Sequence, residues 1–311
     1  MTWTWPWYEQ RRKEMVKAGM KGKDCFAVKH WRALGLALLI PFLVSPLLLA
    51  ASGCGGGGDA SEPAKKGLKG SLKLSGSTTV LPLAQQAAEM FMDENPDVTI
   101  DVQGGGSSVG ISNVSEGVVD IGMSSRNLKK EEEGLGLVGH RIALDVIVII
   151  THKDVPVEDL PPEQVKDIFT GKITNWKQLG GPDLAIQVVV RDKASGTREM
   201  FDEKALKKEE PKAGAIECNS NGLVRQTVAG TPGAIGYISL GYLDGTVKAL
   251  KYGGVEGNQA NAEAGKYALS RYLYLFTKGE PGELAKAFID YILSPKFQRE
   301  VVAKEYIPVV K

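Results

Sequence analysis

The chain has 311 residues, 43% hydrophobic and 24% charged, with 38 basic and 37 acidic side chains for a net charge of +1. That composition excludes a low-complexity or disordered chain, and the length allows two compact lobes. Residues 1–33 carry eight Lys or Arg against Glu9, Glu14 and Asp24, a net of +5, so the remainder stands at −4 and offers no broad basic surface to nucleic acid.

In chain order, this basic segment leads into an apolar run from Leu34 to Ala51 that ends in Ser52, Gly53 and Cys54. Basic, apolar and small residues in that order read as a secretory signal. The residues before Cys54 resemble a bacterial lipobox, with Ala51 where Leu is usual; the resemblance implies that Cys54 receives lipid, such as palmitate, and becomes the new N-terminus. An uncleaved anchor is the alternative, since the run approaches the roughly 20 residues a bilayer requires, but Pro41 and Pro46 interrupt any helix there. Both readings hold the domain outside the cytoplasm at a membrane surface. The charged region is long for a signal, so a start at Met15 or Met20 is a further alternative. Residues 55–70, rich in Gly and charge, read as a flexible tether. Of Cys25, Cys54 and Cys218, only Cys218 remains a thiol in the mature domain, which excludes an intramolecular disulfide and reads as packing.

From residue 71 strands and helices alternate. Residues 72–76 read as a strand and 80–94 as a helix, with Val80, Leu83, Ala84, Ala87, Ala88 and Phe91 on one face. Strand 98–104, helix 109–116 and strand 119–124 follow, then the β-branched run 141–153, which reads as a strand buried on both faces. Residues 162–169 and 198–208 look helical, and 185–191, 234–240 and 270–279 look like strands. Two helices, 282–293 and 295–304, close the chain. The alternation predicts an α/β sheet covered on both faces, in which a ligand lies beyond the carboxyl ends of the strands.

Three loops occupy that position, each with Ser, Thr and Gly ahead of a predicted helix: residues 76–80 (GSTTV), 104–110 (GGGSSVG) and 191–199 (RDKASGTRE). A helix start presents unpaired N–H groups and the positive end of a dipole, so three such places suggest convergence on one tetrahedral oxyanion. Ser77 or Thr78 would also serve simply as a helix cap. The run Gly104, Gly105, Gly106 suits a close backbone approach, but its spacing is neither a Walker loop nor a dinucleotide fingerprint. Arg191, at the end of an apolar strand, would bring a planar fork into the cleft, whereas Arg198 reads as solvated. A serine nucleophile wants a base, yet the histidines are only His30, His140 and His152, and no Cys/His cluster offers a metal site. Binding is favoured over catalysis, with no cofactor and no metal expected.

On LSGSTTVLPLA, GGGSSVGISNVSEGVVDIGMSSRNL, VKDIFTGKITNWKQLGG, VVVRDKASGTREMF and NGLVRQTVAGTPGAIGYISLGYL, the chain resembles the PstS-like phosphate-binding components of bacterial ABC phosphate uptake systems. The resemblance implies a two-lobed periplasmic-binding-protein fold of type II character, with dehydrated phosphate clamped in a cleft between lobes. It implies a phosphate site of Ser77, Thr78, Thr79, Ser107, Ser125, Arg126, Arg191, Ser195, Gly196 and Thr197. Better-known members carry Asp where this chain has Ser125; that carboxylate accepts a proton from phosphate and rejects sulfate, which has none to give. Arg126 is then either a second cationic contact or a structural ion-pair partner. Ser220 and Asn221 are candidates to line the cleft, and Trp176 and Tyr237 are expected to pack.

The expected layout is a leader over residues 1–53, a tether over 54–69, one lobe from 70–144 plus 273–311 and the other from 145–272. The expected function is an extracytoplasmic, lipid-anchored receptor that delivers inorganic phosphate to the membrane subunits of an ABC permease. The alternatives are a receptor for another tetrahedral oxyanion such as sulfate or molybdate, a phosphatase or other phosphoryl-transfer enzyme using Ser195 or Thr78, and a signalling protein for which phosphate is a cue.

Overall fold

The computed structural model describes residues 67–310; the leader, Cys54 and the tether through residue 66 lie outside the described residues. Among the described residues no helix is long and apolar enough to cross a membrane.

The alternating hydrophobic pattern becomes a mixed sheet. Strand β1 (Gly70–Gly76) leads through helix α1 (Leu81–Glu94) to β2 (Val98–Gly104), and α2 (Ser107–Ser115) leads to β3 (Ile121–Ser124). β1 pairs in parallel with both β2 and β3. The long strand β4 (Leu137–Thr151) is followed by β5 (Asp159–Leu160), α3 (Pro162–Phe169), β6 (Gln187–Arg191), α4 (Gly196–Lys204), β7 (Ile216–Cys218), α5 (Asn221–Gly230) and β8 (Ala234–Ser239). β9 (Lys248–Tyr252), α6 (Gln259–Glu263), β10 (Ser270–Lys278) and α7 (Glu283–Leu293) complete the main elements. Strand order is β2-β1-β3-β10-β4-β8-β6-β7, with β9 joining β4 to β5.

β4 is the spine. Its 15 residues span about 50 Å. Residues up to Val146 pair antiparallel with β10, and from Ile147 onward the strand pairs with β8 and β9 instead. Buried apolar side chains accordingly form two large clusters. One gathers Leu74, Phe91, Ile142, Ala143, Leu273 and Phe288, among others, over the β1–β2–β3 end. The other gathers Val146 to Ile150, Phe169, Val189, Phe201, Tyr237 and Leu269 around β6 and β8. Asp145 and Arg271, both buried, stand where the two clusters part.

Several expectations needed adjustment. The helix expected over 198–208 begins at Gly196 and ends at Lys204, because Lys207 and Lys208 take left-handed conformations that stop it. α2 starts at Ser107 rather than Val109, with Gly106 as its cap at φ 97°, which moves Ser107 into the first helical turn. The single helix expected over 295–304 is a helical turn, a π segment at Gln298–Val302 and a second turn. Buried Gln298 sits there, its amide donating to the carbonyls of Ile142 (3.0 Å) and Ile292 (2.9 Å). Trp176 and Tyr237 are packed: the Trp176 indole donates to Gly233 O, and Tyr237 stacks on Phe201 at 3.9 Å. Cys218 is buried beside the Thr227 hydroxyl.

Candidate functional site

The first loop is fixed by its own turn and by two phenols. Ser77 Oγ accepts from the N–H groups of Thr79 (3.2 Å) and Val80 (3.4 Å), the capping role open to it in sequence. Tyr242 donates to Thr78 O and Tyr306 to Thr79 O, one phenol from each side of the cleft. Burial holds both phenols well above their usual range, so they are neutral donors. With the carbonyls held, the hydroxyls of Thr78 and Thr79 face the other loops.

The second loop meets the third at Gly106. A methyl group there would come within 2.7 Å of Ala194 O, and Ser108 N donates to the same carbonyl at 3.1 Å. The close approach expected of the glycine run is therefore, at Gly106, to backbone of the opposite loop. Ser107 Oγ lies 3.2 Å from Ser125 Oγ and accepts from Ser125 N at 3.0 Å.

The third loop closes the ring. Ser195 caps α4, its Oγ accepting from the N–H groups of Thr197 and Arg198, each at 3.2 Å. Gly196 at the helix start faces the second loop so tightly that a methyl group would come within 2.5 Å of Ser107 Oγ and 2.9 Å of Ser125 Oγ. Thr197 Oγ1 lies 3.1 Å from Thr79 Oγ1. Three loops from remote parts of the chain thus bring Thr79, Ser107, Ser125, Gly196 and Thr197 together. Thr78 joins through Asn221, whose amide donates to Thr78 Oγ1 (3.3 Å) and Thr79 Oγ1 (3.0 Å). Ser220 caps α5 by accepting from Leu223 N.

The arginines divide by their partners. Arg191 is buried at the end of β6, its Nε donating to Cys218 O (3.2 Å) and Nη2 to Asn219 O (3.1 Å). Burial lowers its pKa, and among the described residues it makes no ion pair. Arg126 is spent elsewhere: it forks onto Glu132 at 2.6 and 2.8 Å, pairs with Glu199 at 3.1 Å and donates to Ser108 Oγ. Of its two expected roles, the ion-pair role is the one its geometry follows. Although burial pushes the other way, the bonds from Arg126 and Lys129 N hold the Glu132 carboxyl below its usual range. Arg198 is not solvated as expected; it is buried, pairs with Asp202 at 2.5 Å and donates to Arg191 O at 2.8 Å, bracing the strand end that carries Arg191.

One pair at the site escaped the sequence reading. Arg271 on β10 donates to Asp145 Oδ2 through Nε (3.2 Å) and Nη2 (2.9 Å), and Nη2 also reaches Thr79 Oγ1 (3.0 Å) and Thr197 Oγ1 (2.8 Å). Asp145 Oδ1 accepts from Ser239 Oγ at 2.6 Å. Burial raises the Asp145 carboxyl and lowers the Arg271 guanidinium, and each is countered by the other's charge. A lone acidic residue in the apolar part of β4, 126 positions from its partner, was the available signal.

Chemically, the site is a set of hydroxyls, helix N–H groups and guanidinium. Neither described histidine bonds to a serine of the three loops: His140 meets Thr277, and His152 meets Asp154. No cluster of His, Cys, Asp or Glu able to hold a metal occurs among the described residues. Such a site suits a small, acceptor-rich anion.

Known proteins match this architecture over most of its length. A family model described as a PBP superfamily domain covers residues 61–296. The phosphate-binding protein PstS of Bacillus subtilis is 42% identical over 283 residues, spanning 88% of this chain and 94% of its own. A Clostridium perfringens protein described as a phosphate ABC transporter substrate-binding protein, solved with bound phosphate, superposes with a TM-score of 0.75 at 45% identity. It covers 77% of this chain and 100% of its own. An ABC-type phosphate transport receptor from Vibrio cholerae gives a TM-score of 0.65 at 33% identity, over 76% and 99% of the two chains.

Proposed function

Because the chain belongs to the PstS-like phosphate-binding proteins of the PBP superfamily, we propose that it captures inorganic phosphate between its two apolar clusters and presents it to the membrane subunits of an ABC permease. It is a receptor, not an enzyme.

The observation that carries this reading is Arg191. Its buried guanidinium bonds only to carbonyls and makes no ion pair among the described residues, with the neighbouring Asp192 as the main opposing charge, and a buried cation favours a counter-charge in direct contact. The planar fork can grip two oxygens of a tetrahedral anion while the starts of α2 and α4 supply N–H groups. Ser77, Thr78, Thr79, Ser107, Ser125, Ser195, Gly196 and Thr197 complete the proposed clamp. Arg126, neutralised by Glu132 and Glu199, is left out of it.

The two clusters are read as two lobes, residues 70–144 with 273–311 and residues 145–272, joined by the crossings on β4 and β10. Hinge closure over the anion would remove water and strengthen each remaining bond. The leader, with Cys54 lipidated and a tether behind it, would keep the receptor on the outer face of the cell membrane beside its permease. Mass spectrometry of the N-terminal peptide tests the anchor: an acylated Cys54 supports it, and an intact chain beginning upstream of residue 54 refutes it.

A receptor for sulfate is the second reading, favoured by Ser125, whose uncharged hydroxyl cannot repel a fully ionised anion. Deleting the gene and following uptake at low external concentration separates the two. Loss of phosphate uptake with normal sulfate uptake supports the first reading; the reverse pattern replaces it with the second, and unchanged uptake of both removes transport.

A further inference from the structure

We infer that Arg271 is itself an anion contact through Nη1, and that Asp145 is the positioning residue that aims it; the inference rests on the phosphate-receptor reading above. Asp145 Oδ2 takes both Nε and Nη2, which fixes the guanidinium plane from one edge. Nη2 has two N–H groups for three acceptors, Asp145 Oδ2 and the hydroxyls of Thr79 and Thr197, so at least one of them is shared. Nη1 is buried and has no hydrogen-bond partner. Arg271 as a whole is 3% exposed, so those two N–H groups are shielded from bulk solvent. An unmatched donor on a buried cation is strongly unfavourable, and an anionic oxygen beside the Thr79–Thr197 pair removes the mismatch.

The same guanidinium sets which way the hydroxyl protons point. Arginine only donates. Thr79 Oγ1 accepts from Arg271 Nη2 and from Asn221 Nδ2, which fills both its lone pairs, so its own proton is turned to Thr197 Oγ1 at 3.1 Å. Thr197 Oγ1 then accepts from Thr79 and from Arg271 at 2.8 Å, and its proton points away from both. The chain of donors ends in a hydroxyl that can only donate. A ligand rich in acceptors fits it, and a neutral hydroxyl compound does not.

Asp145 has a second consequence. Burial lowers the proton affinity of Arg191, the charge of Arg271 lowers it further, and Asp192 opposes both. Asp145 pairs with Arg271 at 2.9 Å, so this guanidinium enters the site already matched by a carboxylate. Asp145 itself touches Ser239 and Arg271 rather than the cleft hydroxyls.

The test compares Arg271→Gln, Arg271→Lys and Asp145→Asn with the wild type, by equilibrium dialysis against inorganic phosphate and by thermal melting with and without it. Arg271→Gln is expected to weaken phosphate binding on the order of 100-fold, the loss of one charge-assisted contact. Arg271→Lys keeps the charge but cannot serve Asp145, two hydroxyls and the anion at once, and is expected to bind at least about tenfold more weakly. Asp145→Asn is expected to melt earlier without phosphate and to bind phosphate more weakly than the wild type but less weakly than Arg271→Gln, with the phosphate-induced rise in Tm reduced in step with the affinity.

Wild-type affinity in Arg271→Gln overturns the inference, as does an equal loss in Arg271→Gln and Asp145→Asn, which would mark the pair as scaffold only. If Arg271→Gln does not fold, Arg271→Lys decides: undiminished affinity overturns the contact. A wild-type protein that takes up no phosphate refutes the receptor reading instead.

Discussion

The hydroxyls of Thr79 and Thr197 meet at 3.1 Å although the two residues stand 118 positions apart, one on each side of the cleft. Thr79 follows the end of β1 and Thr197 opens α4, so the contact exists only because the fold brings two loops from remote parts of the chain together. Valine in place of either keeps the shape and removes the hydroxyl. Thr79→Val and Thr197→Val are each expected to weaken phosphate binding about tenfold, and the double variant by less than the product, because the two act as one chain of donors. A double-mutant cycle on phosphate affinity checks this; strictly additive losses would show that the contact plays no part in the clamp.

Gly196 is where the third loop presses on the second. An alanine Cβ would come 2.5 Å from Ser107 Oγ and 2.9 Å from Ser125 Oγ, but the backbone there is helical and tolerates alanine. Gly196→Ala is expected to lower stability by about 1–3 kcal/mol through overpacking, and to weaken phosphate binding more than tenfold by pushing the two serines aside. Urea unfolding and phosphate titration of the same sample separate the two effects. Unchanged affinity would place the anion away from this contact.

Ser125 bears on selectivity. Its hydroxyl, 3.2 Å from that of Ser107, can donate to any oxyanion and can accept from a protonated one. Sulfate is therefore expected to compete measurably with phosphate in the wild type. Ser125→Asp places a carboxylate that only a proton-bearing anion can satisfy, and is expected to abolish that competition while phosphate still binds. Competition titrations at pH 7 read this directly, and a wild type indifferent to sulfate would assign the discrimination to other groups.

Burial pushes the Asp202 carboxyl up to about 6 from an ordinary value of 3.8, against the pull of Arg198. A raised acid holds its proton more tightly in the folded state, so its contribution to stability falls as pH rises from about 4 to about 6. Asp202→Asn removes that dependence. The wild type is therefore expected to lose stability relative to the variant between pH 4.5 and 6.5, measured by urea midpoints at each pH. A constant difference between the two proteins would mean that Asp202 titrates normally.

What the sequence disclosed follows from how local the signal is. β2 and α3 have the bounds their periodicity predicts, and the run expected over 141–153 is a strand buried from Val146 on, extended at its front to Leu137 and ending at Thr151. The loops were legible because Gly, Ser and Thr before a helix carry chemistry in their spacing. Short strands such as β5 and β7, with two and three residues, were not legible because their ladders depend on partners far along the chain. Arg271 and Asp145 were missed for the same reason: each is a charge in a mostly apolar strand, and only the pairing of β4 with β10 brings them to one point. Arg198 was misread because its three-dimensional partners, Asp202 and Arg191 O, turn an exposed helix start into a buried brace.

The most direct measurement is a calorimetric titration of the purified protein, freed of bound anion, with inorganic phosphate at pH 7. The account predicts one site with micromolar or tighter affinity, about −8 kcal/mol, that is weakened severely in Arg191→Gln. No binding, or binding that survives loss of Arg191, would contradict it.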